Sequence, residues 1–167
     1  MNQRNVTTKL SLTIVMTSLV AVNTLIVRIP NPMGGYFNLG DVMIFISALT
    51  FGPLVGGLAG GIGSAIADII GFPLFAVPTL IIKGLEGFIA GSLTNKKQIY
   101  RDILAVFFAG SGMVFGYFIF EWLILQWGFA AALAEVPANV GQIIIGGIIG
   151  IPIAHLLRRR FPKNQNQ

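Results

Sequence analysis

The sequence predicts an all-α membrane protein, a six-transmembrane-helix bundle with its N- and C-termini cytoplasmic, and three observations carry that expectation. Hydrophobic residues make up 54% of the chain and charged residues 10%, at a mean hydropathy of +0.81, whereas a soluble domain carries about 25% charged residues. Apolar runs alternate with short polar or Gly/Pro-rich breaks, and at about 20 residues per span the 167 residues hold about six spans with short loops. The basic residues, finally, fall almost entirely on one side of that arrangement. No length remains for a separate soluble domain, so residues 1–167 are expected to form a single transmembrane domain.

The first span is placed at 10–28, after the polar, basic stretch Met1 to Lys9. This apolar run is too long for the hydrophobic part of a secretory leader and no small-residue cleavage site follows it, so it is read as retained. Ile29 to Gly40, IPNPMGGYFNLG, is punctuated by glycine and proline and reads as a loop, with Asn31, Tyr36 and Asn38 offering contacts. The second span, 39–51, is short and stops at Gly52-Pro53, where proline ends a helix. In the third, 54–70, Gly52, Gly56, Gly60 and Ser64 repeat at i, i+4 with Gly57 and Gly61 beside them, a ridge that lets helix backbones approach closely in lipid. A phosphate-cradling reading of GGLAGGIG would need a preceding strand, which the sequence does not offer. Gly71-Phe72-Pro73 turns the chain into the fourth span, 77–93, with Pro78 in its first turn. The polar break TNKKQIYRD separates it from the fifth, 103–127; the sixth covers 137–157 and leads into a basic tail.

With six spans, one side holds Arg4, Lys9, Lys96, Lys97, Arg101, Arg158, Arg159, Arg160 and Lys163, and only Arg28 and Lys83 lie elsewhere. The positive-inside rule therefore puts both termini in the cytoplasm of a multi-pass protein of the cell membrane. The basic balance records topology and attraction to the lipid bilayer, so no nucleic-acid partner is expected. Zero cysteines exclude disulfides, thiol catalysis and thiolate metal sites, and one histidine, His155, argues against a metal centre. No nucleophile–base pair or carboxylate cluster suggests an enzyme, and no cofactor or catalytic residue is expected.

What remains is a set of polar groups at membrane depth, where each ionised side chain costs about 2.5 kcal/mol or more and usually faces a wet cavity or a partner. Threading the spans alternately puts Tyr36, Asn38, Asp68, Lys83, Glu86, Glu121, Trp122, Asn139 and Gln142 in or above the outer half of the bundle, and these are the candidate substrate-binding residues. Several have a plainer reading beside the functional one. Lys83 and Glu86, at i, i+3, can pair with each other; Asn38 with Asp41 looks like a helix cap; Asp68 at a helix C-terminus needs a donor, for which Lys83 is a candidate; Trp122 and Trp127 suit interfacial anchoring. Glu121 has no same-helix partner and is the leading candidate for ligand recognition.

NLGDVMIFISALTFGPLVGGLAGGIGSAIADIIG followed by PTLIIKGLEGFIAG resembles the substrate-binding S components of energy-coupling factor (ECF) vitamin transporters, in the branch of riboflavin, pantothenate and hydroxymethylpyrimidine carriers. The resemblance implies high-affinity capture of a vitamin from outside, docking on a transmembrane T subunit that carries two cytoplasmic ATPase subunits, and release inward by tipping in the membrane. It points to Tyr36, Lys83, Glu86, Glu121, Asn139 and Gln142 as ligand contacts. For docking it points to Thr13, Thr17 and Ala21, standing where family members often have an alanine-xxx-alanine ridge. A buried carboxylate suits an aminopyrimidine or a protonated ring nitrogen, because a charged acceptor strengthens a hydrogen bond about twofold. Hydroxymethylpyrimidine, a thiamine precursor, is therefore the expected ligand, followed by pyridoxine, with pantothenate and riboflavin as alternatives. The rival of another class is a self-sufficient homo-oligomeric carrier, which needs polar lining through both leaflets.

Overall fold

Backbone amides in lipid have no water to pair with, which drives membrane-spanning chain into helices. The computed structural model, which describes residues 3–30, 36–95 and 98–160, is built almost wholly of them. In chain order come α1 (Gln3–Ile26), β1 (Ile29–Pro30) paired antiparallel with β2 (Tyr36–Phe37), α2 (Gly40–Phe51), α3 (Pro53–Gly71), a 3-10 turn (Pro73–Phe75), α4 (Ala76–Leu93), α5 (Ile99–Ile119) continuing into a π-helical turn (Phe120–Ile124), and α6 (Phe129–Arg160). Five of these helices are long and apolar enough to cross a membrane, and α2 is not. At 12 residues it spans about 18 Å. It can be short because it is the axis of the bundle: every residue but Met43 and Phe51 is buried, against α1, α3, α4 and α6.

The molecule is apolar outside and polar within. Ile14, Leu58, Ile70, Leu85, Phe107 and Ile148 are exposed, while Asp41, Asp68, Lys83, Glu86, Asp102 and Glu121 are buried. Apolar patches of that extent suit contact with lipid and not with water. Glycine sets the closest approach. A Cβ at Gly60 would stand 2.6 Å from the Lys83 carbonyl oxygen and one at Gly61 2.6 Å from that of Leu80, so the ridge on α3 brings α4 in at backbone distance. Between α2 and α3 the chain reverses at Gly52, whose φ of 97° favours glycine.

Three boundaries differ from the sequence expectation. The first span belongs to a helix that begins earlier, at Gln3, and ends at Ile26, short of the expected 28. The fifth does not run to 127: regular helix ends at Ile119, the π turn follows, and Gln126 (φ 55°) and Gly128 (φ 91°) turn the chain out. The sixth starts at Phe129, with Pro137 and Pro152 inside it. Its first turns carry Ala130, Ala131, Ala132 and Ala134, the strongest helix formers, and they extend the helix ahead of a proline that looks like a start signal.

At one end of the bundle Arg158 ties four helices together. It pairs with Asp102 of α5 at 2.7 Å and donates to the Leu49 carbonyl of α2 at 2.8 Å and to Thr94 at the end of α4 at 2.8 Å. The described basic residues Arg101, Arg159 and Arg160 belong to the same end, as does the start of α1 with Lys9. Lys96, Lys97 and Lys163, counted with them in the sequence, and Asn31 of the first loop lie outside the described residues, as does the side chain of Arg4.

Candidate functional site

The opposite end of the bundle holds a partly open cavity lined by side chains from every helix but α2 and by the loop strand β2. Its floor is an ion triad. Lys83, one and a half to two turns into α4, reaches Asp41 at the start of α2 at 2.5 Å and Glu86, one turn further along α4, at 3.0 Å. All three side chains are 5% exposed or less, so the one ammonium offsets the two carboxylates with little help from water, and Asp41 Oδ2 and Glu86 Oε1 find no donor among the described residues. Below the triad, Phe45, Ala48, Ala90, Ala105, Ala109 and Ile151 fill the bundle as a solid core.

One wall is aromatic. The 3-10 turn places Phe75 5.6 Å from Phe120 and 5.6 Å from Trp127, centroid to centroid, and 6.4 Å from Tyr117. The hydroxyls of Thr79 and Tyr117 share a hydrogen bond of 2.9 Å across the wall. The roof comes from β2, where Tyr36 stacks 5.4 Å from Phe72, lies under the Arg28 guanidinium at 5.0 Å and donates its phenol proton to Asp68. Burial, and then the Asp68 carboxylate, push the Tyr36 phenol above its ordinary range, so it stays a donor. The remaining wall is polar: Glu121 from the π turn, and Glu135, Asn139 and Gln142 from α6. Gln142 donates to Asn139 Oδ1 at 3.4 Å and to the Tyr36 carbonyl at 3.5 Å, which ties wall to roof.

Of the candidate residues, Tyr36, Asn38, Asp68, Lys83, Glu121, Asn139 and Gln142 come together around this cavity. Glu86 does not reach it: it lies one layer down, fully buried on Lys83. Trp122 points away, packed on Phe118 at 5.7 Å and Phe129 at 5.4 Å and 37% exposed, because a neighbour of Glu121 on a helical turn faces a different side. Asp68 takes its proton donor from Tyr36 and not from Lys83. Asn38 accepts from the Gly40 amide at 2.8 Å, an Asx turn one residue ahead of the cap position Leu39. Asp41 serves as an ion-pair partner more than as a helix-end residue. On α1, Ala21 is buried and Thr13 and Thr17 are half-buried, with the Thr17 carbonyl facing Gly63 of α3.

Seven lining residues escape the sequence reading: Thr24, Ser64, Phe72, Phe75, Thr79, Tyr117 and Glu135. Glu135 was legible in principle, since alanine-rich chain around it favours helix and an acid there needs an interior face. The others are ordinary core residue types, and only the tertiary structure tells a lining threonine from a packed one.

The π turn explains why Glu121 reaches inward. Leu125 donates to the Phe120 carbonyl at 2.9 Å, an i, i+5 bond that widens the helix end, a device common where helices carry function. Glu121 is 3% exposed, and its Oε2 finds no hydrogen-bond partner among the described residues. A buried carboxylate oxygen without a donor is costly, so a donor brought to Glu121 would be stabilising there.

Residues 4–159 match the family model for the ECF-type riboflavin transporter, S component. The chain is 44% identical over 144 residues to an uncharacterised protein of Pyrococcus woesei, covering 85% of this chain and 96% of that one. It is 31% identical over 132 residues to the thiamine precursor transporter HmpT of Lactococcus lactis subsp. cremoris (strain MG1363), covering 78% and 75%. Its fold superposes with a TM-score of 0.75, at 17% identity, on a solved S component of a bacterial ECF transporter, over 96% of this chain and 100% of the other.

Proposed function

The chain belongs to the family of ECF-type S components, and from that premise we propose that its cavity binds a small nitrogen-ring vitamin precursor of the hydroxymethylpyrimidine kind. S components are substrate-binding subunits of transporters and not enzymes, and this one is a multi-pass membrane protein. Family membership leaves the ligand open, since riboflavin stands in the family's description and a thiamine precursor in the Lactococcus relative's name. The observation that carries the choice is Glu121, a buried carboxylate at the cavity with an oxygen awaiting a donor. An aminopyrimidine supplies such a donor and a flat ring for the aromatic wall. Pyridoxine, another small hydroxylated heteroaromatic, comes second. Pantothenate fits poorly, because Lys83, the cation nearest to hand for its carboxylate, is already held by Asp41 and Glu86.

Riboflavin is a second reading, favoured by the family description and by the row of rings from Tyr36 through Phe72 and Phe75 to Tyr117. One experiment separates them: denature the purified protein and identify the released small molecule by mass spectrometry. A hydroxymethylpyrimidine mass supports the proposal, a pyridoxine mass supports the second choice, and riboflavin, already visible as a yellow preparation, overturns it.

In this reading the cavity faces outward, the six helices sit in the plasma membrane as one domain, with five long enough to cross it and the short α2 enclosed among them, and both termini are cytoplasmic, with the basic Arg158 end on the inside. A T subunit and two ATPase subunits supply the energy, and the T subunit docks along α1 at Thr13 and Thr17; Ala21, expected beside them, is buried in the bundle and not open to it. The packed core between the triad and Arg158 supports dependence on such partners, because a self-sufficient carrier needs a polar route through both leaflets. Uptake by the isolated chain in liposomes would favour the carrier instead.

A further inference from the structure

The whole sequence contains six acidic residues, and five of them, Asp41, Asp68, Glu86, Glu121 and Glu135, line the cavity or lie directly beneath it. The sixth, Asp102, is bound by Arg158 at the other end. Two cations answer the five acids. Lys83 is shared between Asp41 and Glu86, and Arg28 donates to the Ala67 carbonyl at 2.6 Å above Tyr36. The other described cations stand away from the cavity, so the cavity is the negative pole of a molecule whose formal charge is +5. A low-dielectric hollow in which one sign of charge predominates concentrates ligands of the other sign.

Within that pole two acids come from different elements to the same hollow. Glu121 leaves the π turn after α5, Glu135 the second turn of α6; both are 3% exposed and both line the cavity. Two carboxylates in one desolvated wall repel each other, and a positive group between them turns that repulsion into two attractions.

We propose that Glu121 and Glu135 act together as the specificity-determining pair of the site, admitting a ring with two outward donors that takes up positive charge and excluding neutral-edged or anionic ligands. The inference rests on the hydroxymethylpyrimidine reading above and extends it to a residue and a charge rule. In a 4-aminopyrimidine the exocyclic amine and the protonatable ring nitrogen lie at opposite ends of the ring, one donor for each carboxylate. Its 4-oxo counterpart puts an acceptor where the amine was, facing a carboxylate it cannot bond.

The test is equilibrium binding to the full chain in detergent, with hydroxymethylpyrimidine and its 4-oxo analogue as probes, for wild type, Glu135→Gln and Glu135→Asp. Wild type is expected to prefer the amine strongly. Glu135→Gln is expected to lose about tenfold or more for the amine and little for the oxo compound, so the preference shrinks. Tight amine binding by wild type with an unchanged preference in Glu135→Gln overturns the pair while leaving the ligand reading intact. If wild type binds neither pyrimidine, the ligand reading fails and takes the pair with it. If Glu135→Gln melts early and binds nothing, Glu135→Asp decides: a preference for the amine restored by the shorter acid supports the pair, and an acid that restores folding without that preference overturns it.

Discussion

Replacing Lys83 with methionine removes the one cation of the cavity floor while keeping most of its volume. In the structure that ammonium lies 2.5 Å from Asp41 and 3.0 Å from Glu86, with the three side chains between 0% and 5% exposed. Without it, two buried carboxylates face each other with no compensating charge, and breaking a buried pair in this way costs about 3–5 kcal/mol. The cost comes from stranded charge and not from lost attraction, so it is recoverable. A triple variant, Lys83→Met with Asp41→Asn and Glu86→Gln, removes every charge of the triad and is expected to regain most of the loss, because well-packed neutral replacements of buried ion networks are often close to neutral. The assay is denaturant unfolding in detergent micelles followed by the fluorescence of Trp122 and Trp127. An unfolding midpoint for Lys83→Met equal to that of wild type, or a triple variant no better than the single one, would refute the reasoning.

Other variants address the remaining parts of the framework. Gly60→Leu puts a side chain where even a Cβ would meet the Lys83 carbonyl at 2.6 Å, so α3 and α4 must separate at a cost of about 1–3 kcal/mol or more, seen as a lower melting temperature in detergent. Arg158→Ala strands Asp102, which is 0% exposed, at about 3–5 kcal/mol. Arg158→Lys is expected to rescue little of this, since an ammonium cannot reproduce the guanidinium fork across Asp102, Leu49 and Thr94. Thr17→Leu is expected to leave ligand binding by the isolated chain in place but to prevent co-purification with the T subunit and ATPases; intact assembly and uptake would remove the α1 ridge from the docking surface.

Much of the helical framework was legible because its causes are local. Hydropathy marked the apolar segments, Gly52-Pro53 marked the tight turn, and the i, i+4 glycines marked the face where α3 meets α4. The Lys83–Glu86 pair was legible for the same reason, being one turn apart. The partner across the floor was not: Asp41 stands 42 residues from Lys83, and its position near Asn38 at a helix start suggested a cap. Glu135 was hidden by a misplaced helix start: the sequence reading begins the span at 137, and the alanines before Pro137 carry the helix back to Phe129. The π turn left no mark in the apolar run FIFEWLIL, so nothing distinguished the inward direction of Glu121 from the outward one of Trp122. Pairing in three dimensions, and departures from regular helix, are what sequence periodicity does not carry.

The account turns on Glu121 meeting a donor ring in the cavity, and the most direct measurement is the affinity of hydroxymethylpyrimidine for wild type against Glu121→Gln. Tight binding by wild type with a loss of about tenfold or more in the variant, the effect of removing a charge-assisted hydrogen bond, is the expected result. Equal affinities for the two proteins would contradict it.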